Sequence, residues 1–159
     1  MNQEITNNLQ QAVTKGLIRF YDDNKRIEYT HQNKSRNYSN PEEQVQAEAY
    51  CRLILEYGYP VQRIKLFVTV SMGVDKKEAD IEVYNDDECL QPHILVECKK
   101  QEISEQEFIQ AIEQAYSYAF ALPNQVKYAW VTSKIKNVYF RLIKVKIFAL
   151  QNLTFLPMG

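Results

Sequence analysis

Three β-rich runs lie between Arg63 and Lys99, RIKLFVTVSM (63–72), EADIEVY (78–84) and HILVECK (93–99), with a helix-patterned stretch on either side of the group. In the first, Ile64, Leu66, Val68 and Val70 alternate with more polar neighbours, the period-two pattern of a strand with one buried face. Gly73 and the segment NDDECLQP read as the turns between runs. Consecutive strands this close together pair with one another, so the chain is constrained to build a sheet and to cover it with its helices.

The first helix is predicted from Asn40, a good N-cap, with Pro41 at the first helical position and Glu43 where a capping-box carboxylate reaches back. Val45, Ala49, Leu53 and Ile54 recur at helical spacing up to the break Gly58-Tyr59-Pro60. A second helix is predicted over 104–122, capped by Ser104 with Glu107 in the capping-box position, and apolar at Phe108, Ala111, Ile112, Ala115 and Ala119. YAWVT (128–132) reads as a further strand, and 138–150 as one or two more. The expected fold is therefore α/β, a central mixed sheet flanked by helices in the order α-β-β-β-α-β.

With 159 residues, 45% of them hydrophobic, the chain has the material for one domain and not for two. Residues 1–39 are expected to form an N-terminal extension, 40–132 the core and 133–159 a set of basic C-terminal strands. Within the extension, 4–15 suggests a short helix ended by Gly16, LIRFY (17–21) and RIEYT (26–30) a hairpin, and HQNKSRNYSN a polar loop.

No apolar run approaches the ~20 residues of a membrane helix, and the polar start MNQEITNNLQQ does not suit a signal peptide, so a cytoplasmic protein is expected. Cys51, Cys89 and Cys98 lie far apart without paired spacing and read as reduced, structural thiols. His31 and His93 are likewise isolated, and no nucleophile-histidine scheme is marked. The net charge is only -1, but acids crowd the middle of the chain and from Asn124 onward there is none. That end carries Lys127, Lys134, Lys136, Arg141, Lys144 and Lys146, a distribution compatible with a cation in one place and a polyanion in another, or with two ordinary solvated faces.

The chemistry-bearing residues come from the strand pattern. Alternation along Ile94-Leu95-Val96-Glu97-Cys98-Lys99 sends Ile94, Val96 and Cys98 to one face, and Glu97 with Lys99 to the other. If 78–84 pairs antiparallel with 93–99, Asp80 falls at the level of Glu97 and Lys99. Two carboxylates could then hold Mg²⁺, or Mn²⁺ in its place, and a lysine could orient a water and offset charge on a phosphate. An E-x-K triplet alone arises by chance on the order of once in a chain of this length, and an exposed Glu-Lys pair on a strand face is worth little.

More than the triplet is present. Asn-Pro-Glu-Glu opens the first helix, Lys-Glu-Ala-Asp (77–80) opens a strand, Ile-Leu-Val-Glu-Cys-Lys (94–99) follows, and Glu-Gln-Ala-Tyr-Ser-Tyr (113–118) contains Gln114-x-x-x-Tyr118. In order and spacing, over roughly 40–132, these resemble the N-terminal nuclease domain of the motor subunit of type I restriction enzymes, within the PD-(D/E)xK superfamily. The resemblance implies a Mg²⁺-dependent DNA endonuclease in which Asp80 and Glu97 bind metal, Lys99 completes the centre and Glu42 assists, Glu42 being preferred to Glu43 because Glu43 is expected in the capping box and Glu42 shares a helix face with Val45 and Ala49. Gln114 and Tyr118, one turn apart, would adjoin the centre, and Lys134, Lys136 and Arg141 would touch DNA.

Two departures from the pattern stand out: Ala79 replaces the proline of the superfamily name, and Gln46 stands where an arginine is expected. No G-x-x-x-x-G-K-[ST] occurs, so no ATP-driven motor is expected from these residues. The expected partners are DNA and, beyond it, a second copy of the chain or separate restriction or motor subunits, with no membrane. The competing reading is a nuclease fold kept as a DNA-binding or assembly module without catalysis.

Overall fold

The structure is a computed structural model and describes residues 6–122 and 126–143 and the backbone of 151–153. The elements run α1 (Asn7–Thr14), β1 (Ile18–Tyr21), β2 (Arg26–Tyr29), β3 (Lys34–Asn37), α2 (Pro41–Leu55), a 3₁₀ turn (Val61–Arg63), β4 (Ile64–Met72), β5 (Asp75–Tyr84), β6 (Pro92–Cys98), α3 (Glu105–Ala121), β7 (Tyr128–Thr132), β8 (Asn137–Arg141) and β9 (Gln151–Leu153). Strands β4 to β9 form one sheet in sequence order. Its pairs are antiparallel except β6 with β7, and α3 supplies the crossover that a parallel pair requires. The α/β core with a mixed sheet flanked by helices is thus as the sequence predicts.

Each face of the sheet buries its own layer. Ile81, Val83, Ile94, Val96, Cys98 and Trp130 pack with Ala49, Tyr50 and Leu53 of α2, while Leu95, Ala129 and Val131 pack with Phe108, Ala111, Ala115 and Ala119 of α3. The alternation read along β6 is therefore real, with Cys98 on the α2 side. Both helices start where their caps predict. The Asn40 side chain accepts the Glu42 N–H at 3.0 Å, and the Ser104 hydroxyl accepts the Glu107 N–H at 3.1 Å while donating to the Glu107 carboxylate at 2.9 Å.

Residues 31–40, read as a polar loop, include strand β3, which completes a small antiparallel sheet with β1 and β2. KSRN has no apolar alternation, but β2 offers a ladder and only one face of β3 needs cover. The β1–β2 connection turns through Asp22, Asp23 and Asn24, all at positive φ (55, 52 and 60°), a region these residue types enter at low cost. Leu9, Ala12, Ile18, Ile27 and Tyr29 of the first forty residues join the α2-side layer, so this segment packs into the core. Of the run 138–150 predicted as one or two strands, β8 forms the start and ends at Arg141; residues 144–150, with Lys144 and Lys146, lie outside the described residues.

One local irregularity bears on function. β4 and β5 pair from Ile64↔Val83 to Met72↔Asp75, and the single pair skipped is Phe67 with Asp80. Phe67 sits at φ 56°, a conformation costing a bulky L-residue roughly 1–2 kcal/mol. The burial pattern changes side across this break. Leu66 and Ile81 face α2, whereas Val68 and Ala79 belong to the α3 layer.

Candidate active site

The β5–β6 register pairs Ile81 with Val96, which places Asp80 and Glu97 opposite each other at the next position. Their contacts interlock. Asp80 Oδ2 accepts the Cys98 backbone N–H at 2.7 Å, and Glu97 Oε1 accepts the Asp80 backbone N–H at 3.4 Å. Lys99 follows the end of β6, its backbone N–H bonded to the Thr132 carbonyl at 2.9 Å and its Nζ 3.6 Å from Glu42 Oε1 at the start of α2. Asp80, Glu97, Lys99 and Glu42 therefore converge from β5, β6 and α2, with Glu97 buried and the Lys99–Glu42 pair at the more open side.

The group holds more negative charge than it can compensate internally. Burial pushes the Asp80 carboxyl up to about 7 against the opposing pull of the Cys98 N–H and the Lys99 ammonium, with Glu42 and Glu43 adding repulsion. Burial, and then the Asp80 charge, hold the Glu97 carboxyl well above the usual range. Two such carboxylates side by side favour a bound cation or a shared proton. Hard oxygen donors suit Mg²⁺, which is commonly held by one or two carboxylates and keeps several waters. Among the described residues no three His, Cys, Asp or Glu side chains form a ready-made metal cage.

Beside the Lys99–Glu42 pair, Gln114 Nε2 donates to the Tyr118 hydroxyl within α3. Burial raises the Tyr118 phenol, and Gln114 lines the same cleft as Lys99 and Glu42, so the Gln114–Tyr118 pair adjoins the same centre. A cleft of about 200 Å³ opens there, lined by Glu42, Lys99, Ile103, Gln110 and Gln114 among others.

Lys134, Lys136 and Arg141 are placed differently. Lys136 Nζ donates to the Ile103 carbonyl at 3.4 Å and lies 6.0 Å from the Phe108 ring centroid, Lys134 lines a groove with Glu48 and Arg52, and Arg141 is exposed on β8 opposite Tyr128. Among the described residues none of the three makes a hydrogen bond or ion pair with Asp80, Glu97 or Glu42.

Glu43 does not act in a capping box. Its buried carboxylate accepts the Tyr29 hydroxyl, a partner brought by tertiary packing from β2, so the capping-box part of the reason for preferring Glu42 fails, while Glu42 is the residue that reaches Lys99. Gln46, noted in the sequence only as a missing arginine, is 3% exposed, and its Nε2 donates to the Asp80 backbone carbonyl at 3.2 Å. A signal for it existed. Gln46 falls on the α2 stripe with Tyr50 and Leu53, where a buried amide must find a partner.

Residues 41–157 match the family model described as the type I restriction enzyme R protein N terminus. The chain belongs to that family. No curated protein matches the chain. The match takes in α2, β4 to β9 and every residue of the converging group, and it ties the chain to the nuclease-related N-terminal region of restriction enzymes. Helix α1 and the small β1–β3 sheet precede it. Among the described residues no helix is long and apolar enough to cross a membrane.

Proposed function

We propose that the chain is a metal-dependent DNA endonuclease that hydrolyses phosphodiester bonds, with Asp80 and Glu97 holding Mg²⁺ and Glu42 assisting. The observation that carries this reading is the meeting of two interlocked carboxylates with an adjoining lysine, in a chain of the restriction-enzyme R-protein family. When bound, Mg²⁺ supplies Lewis-acid polarisation of a phosphoryl oxygen and a more acidic water.

The protein's own groups have defined tasks. Asp80, with Oδ2 fixed by the Cys98 N–H, is held with little rotamer freedom, so its ligand position is set before substrate arrives. Lys99, 3.6 Å from Glu42 Oε1, can exchange that long pair for a phosphate oxygen, offsetting negative charge as it builds on the scissile group. Tyr118 receives a hydrogen bond from Gln114 and so keeps its own proton to donate toward a substrate oxygen. Lys134 and Arg141, outside the centre, are suited to phosphate contacts along the backbone of DNA. Cutting both strands requires two scissions, which a homodimer or separate restriction subunits would provide.

Nicking of supercoiled plasmid in Mg²⁺ or Mn²⁺, lost in Asp80→Ala and in EDTA, tests the proposal. Plasmid left intact with both metals at every protein concentration, with DNA binding unaffected by Lys99→Ala, would replace it with a non-catalytic DNA-binding or assembly module.

A further inference from the structure

The skipped pair between β4 and β5 leaves Asp80 without its ladder partner, and side chains replace that partner on both counts. The Asp80 N–H donates to Glu97 Oε1 at 3.4 Å, and the Asp80 carbonyl accepts Gln46 Nε2 at 3.2 Å. A buried backbone carbonyl without an acceptor's due would pull the strand back toward regular pairing, so the Gln46 amide is what lets the break persist on the β5 side.

The β4 side is held from elsewhere. The Arg36 guanidinium of β3 lies 3.7 Å from the Phe67 ring centroid, and Lys34 Nζ of the same strand donates to the Leu66 carbonyl at 2.9 Å, immediately before the residue at positive φ. Two bonds and one stacked cation thus grip an unfavourable backbone conformation: Gln46 at Asp80, Arg36 at Phe67 and Lys34 at Leu66, the residue just before the break. Strained backbone persists only where its surroundings over-determine it, and such places concentrate at functional sites.

We infer that Gln46 and Arg36 are positioning residues: by holding the Phe67/Asp80 break open from its two sides, they aim the Asp80 carboxylate at the cation shared with Glu97. The inference rests on the nuclease reading and extends it to β3, which lies ahead of the residues that match the family. Neither residue touches substrate. Regular pairing of Phe67 with Asp80 would return the Asp80 N–H to the ladder, release Glu97 Oε1 and turn the Asp80 side chain relative to Cys98.

The test uses the full chain and two variants, Gln46→Met, which keeps volume and removes the donor, and Arg36→Leu, on a partly exposed strand where folding is less at risk. Mn²⁺ affinity by calorimetry and kcat and KM for plasmid nicking are measured at a temperature where circular dichroism shows each variant fully folded. The expected result is a loss of about tenfold or more in Mn²⁺ affinity and in kcat for Gln46→Met, with KM for DNA unchanged and a smaller loss in the same direction for Arg36→Leu. If Gln46→Met does not fold, Arg36→Leu decides. Mn²⁺ affinity and kcat within twofold of the parent in the folded variants would overturn the inference and leave the nuclease reading standing. A parent chain that neither binds Mn²⁺ nor nicks would overturn the nuclease reading itself, and this inference with it.

Discussion

Replacing Asp80 by Asn is expected to stabilise the metal-free protein while destroying its response to metal. The Asn side chain keeps an oxygen for the Cys98 N–H, now 2.7 Å from Asp80 Oδ2, and removes a charge that faces Glu97. In the fold the Asp80 carboxyl is pushed from 3.8 up to about 7, chiefly by burial. Three pKa units at ~1.4 kcal/mol each set a ceiling of about 4 kcal/mol on the cost of ionising it there. A proton shared with Glu97 and local solvation bring the expected gain to roughly 1–3 kcal/mol.

The sign follows from linkage. A carboxyl whose folded pKa is raised contributes its full stability below the unfolded value near 3.8, and that contribution is lost as pH rises through about 7. The parent therefore loses stability relative to Asp80→Asn as pH rises from about 4 to about 7, and the two converge at pH 4. Thermal melts in EDTA should show the variant higher at pH 8 by about 2–4 °C per kcal/mol for a domain of this size. Adding Mn²⁺ should raise the parent and leave the variant where it was. A variant that melts at or below the parent at pH 8 in EDTA, or a difference that does not change with pH, would refute the charge argument.

Lys99→Met leaves Glu42, Asp80 and Glu97 without the ammonium that opposes their charge, so it should lower the melting temperature at pH 8 in EDTA and abolish nicking in Mg²⁺. Tyr29→Phe strips the buried Glu43 carboxylate of its donor and should lower the urea midpoint by an amount equivalent to about 1–3 kcal/mol at pH 8. Burial already raises the Glu43 carboxyl and the Tyr29 hydroxyl bond opposes that rise, so the loss should shrink as pH falls and Glu43 takes up a proton. Ser104→Ala should cost about 1 kcal/mol through the cap of α3, read as a shift of the same denaturation midpoint.

What the sequence made legible was what local rules decide. Caps at Asn40 and Ser104, two periodicities and short turns place α2, β4, β5, β6 and α3, and strand alternation alone puts Glu97 and Cys98 on opposite faces. Pairing two neighbouring strands then brings Asp80 to Glu97. The features that were missed are those set by tertiary partners. Glu43 had a local role on offer, and the Tyr29 hydroxyl from β2 outcompeted it. KSRN reads as loop until β2 provides a ladder. Nothing in the run Leu66-Phe67-Val68 announces a positive φ, because the alternation on each side of Phe67 looks continuous along the chain while the buried face has changed.

That change of face explains why the site sits where it does. A regular ladder satisfies every backbone group internally and leaves an acidic side chain to point at right angles to the sheet, as one more surface residue. Breaking the ladder at Asp80 frees one N–H and one C=O, and the N–H binds the neighbouring Glu97 carboxylate, which fixes two acids against each other at a distance neither would choose. The arrangement is costly without a cation, and it is kept by groups that do no chemistry: the Gln46 amide on one side, Arg36 and Lys34 on the other. A site assembled from mutually repelling acids needs such support more than a neutral pocket does, since every relaxation available to it separates the charges. The small β1–β3 sheet is therefore better understood as part of the machinery that holds the acids in place than as an appendage to the fold.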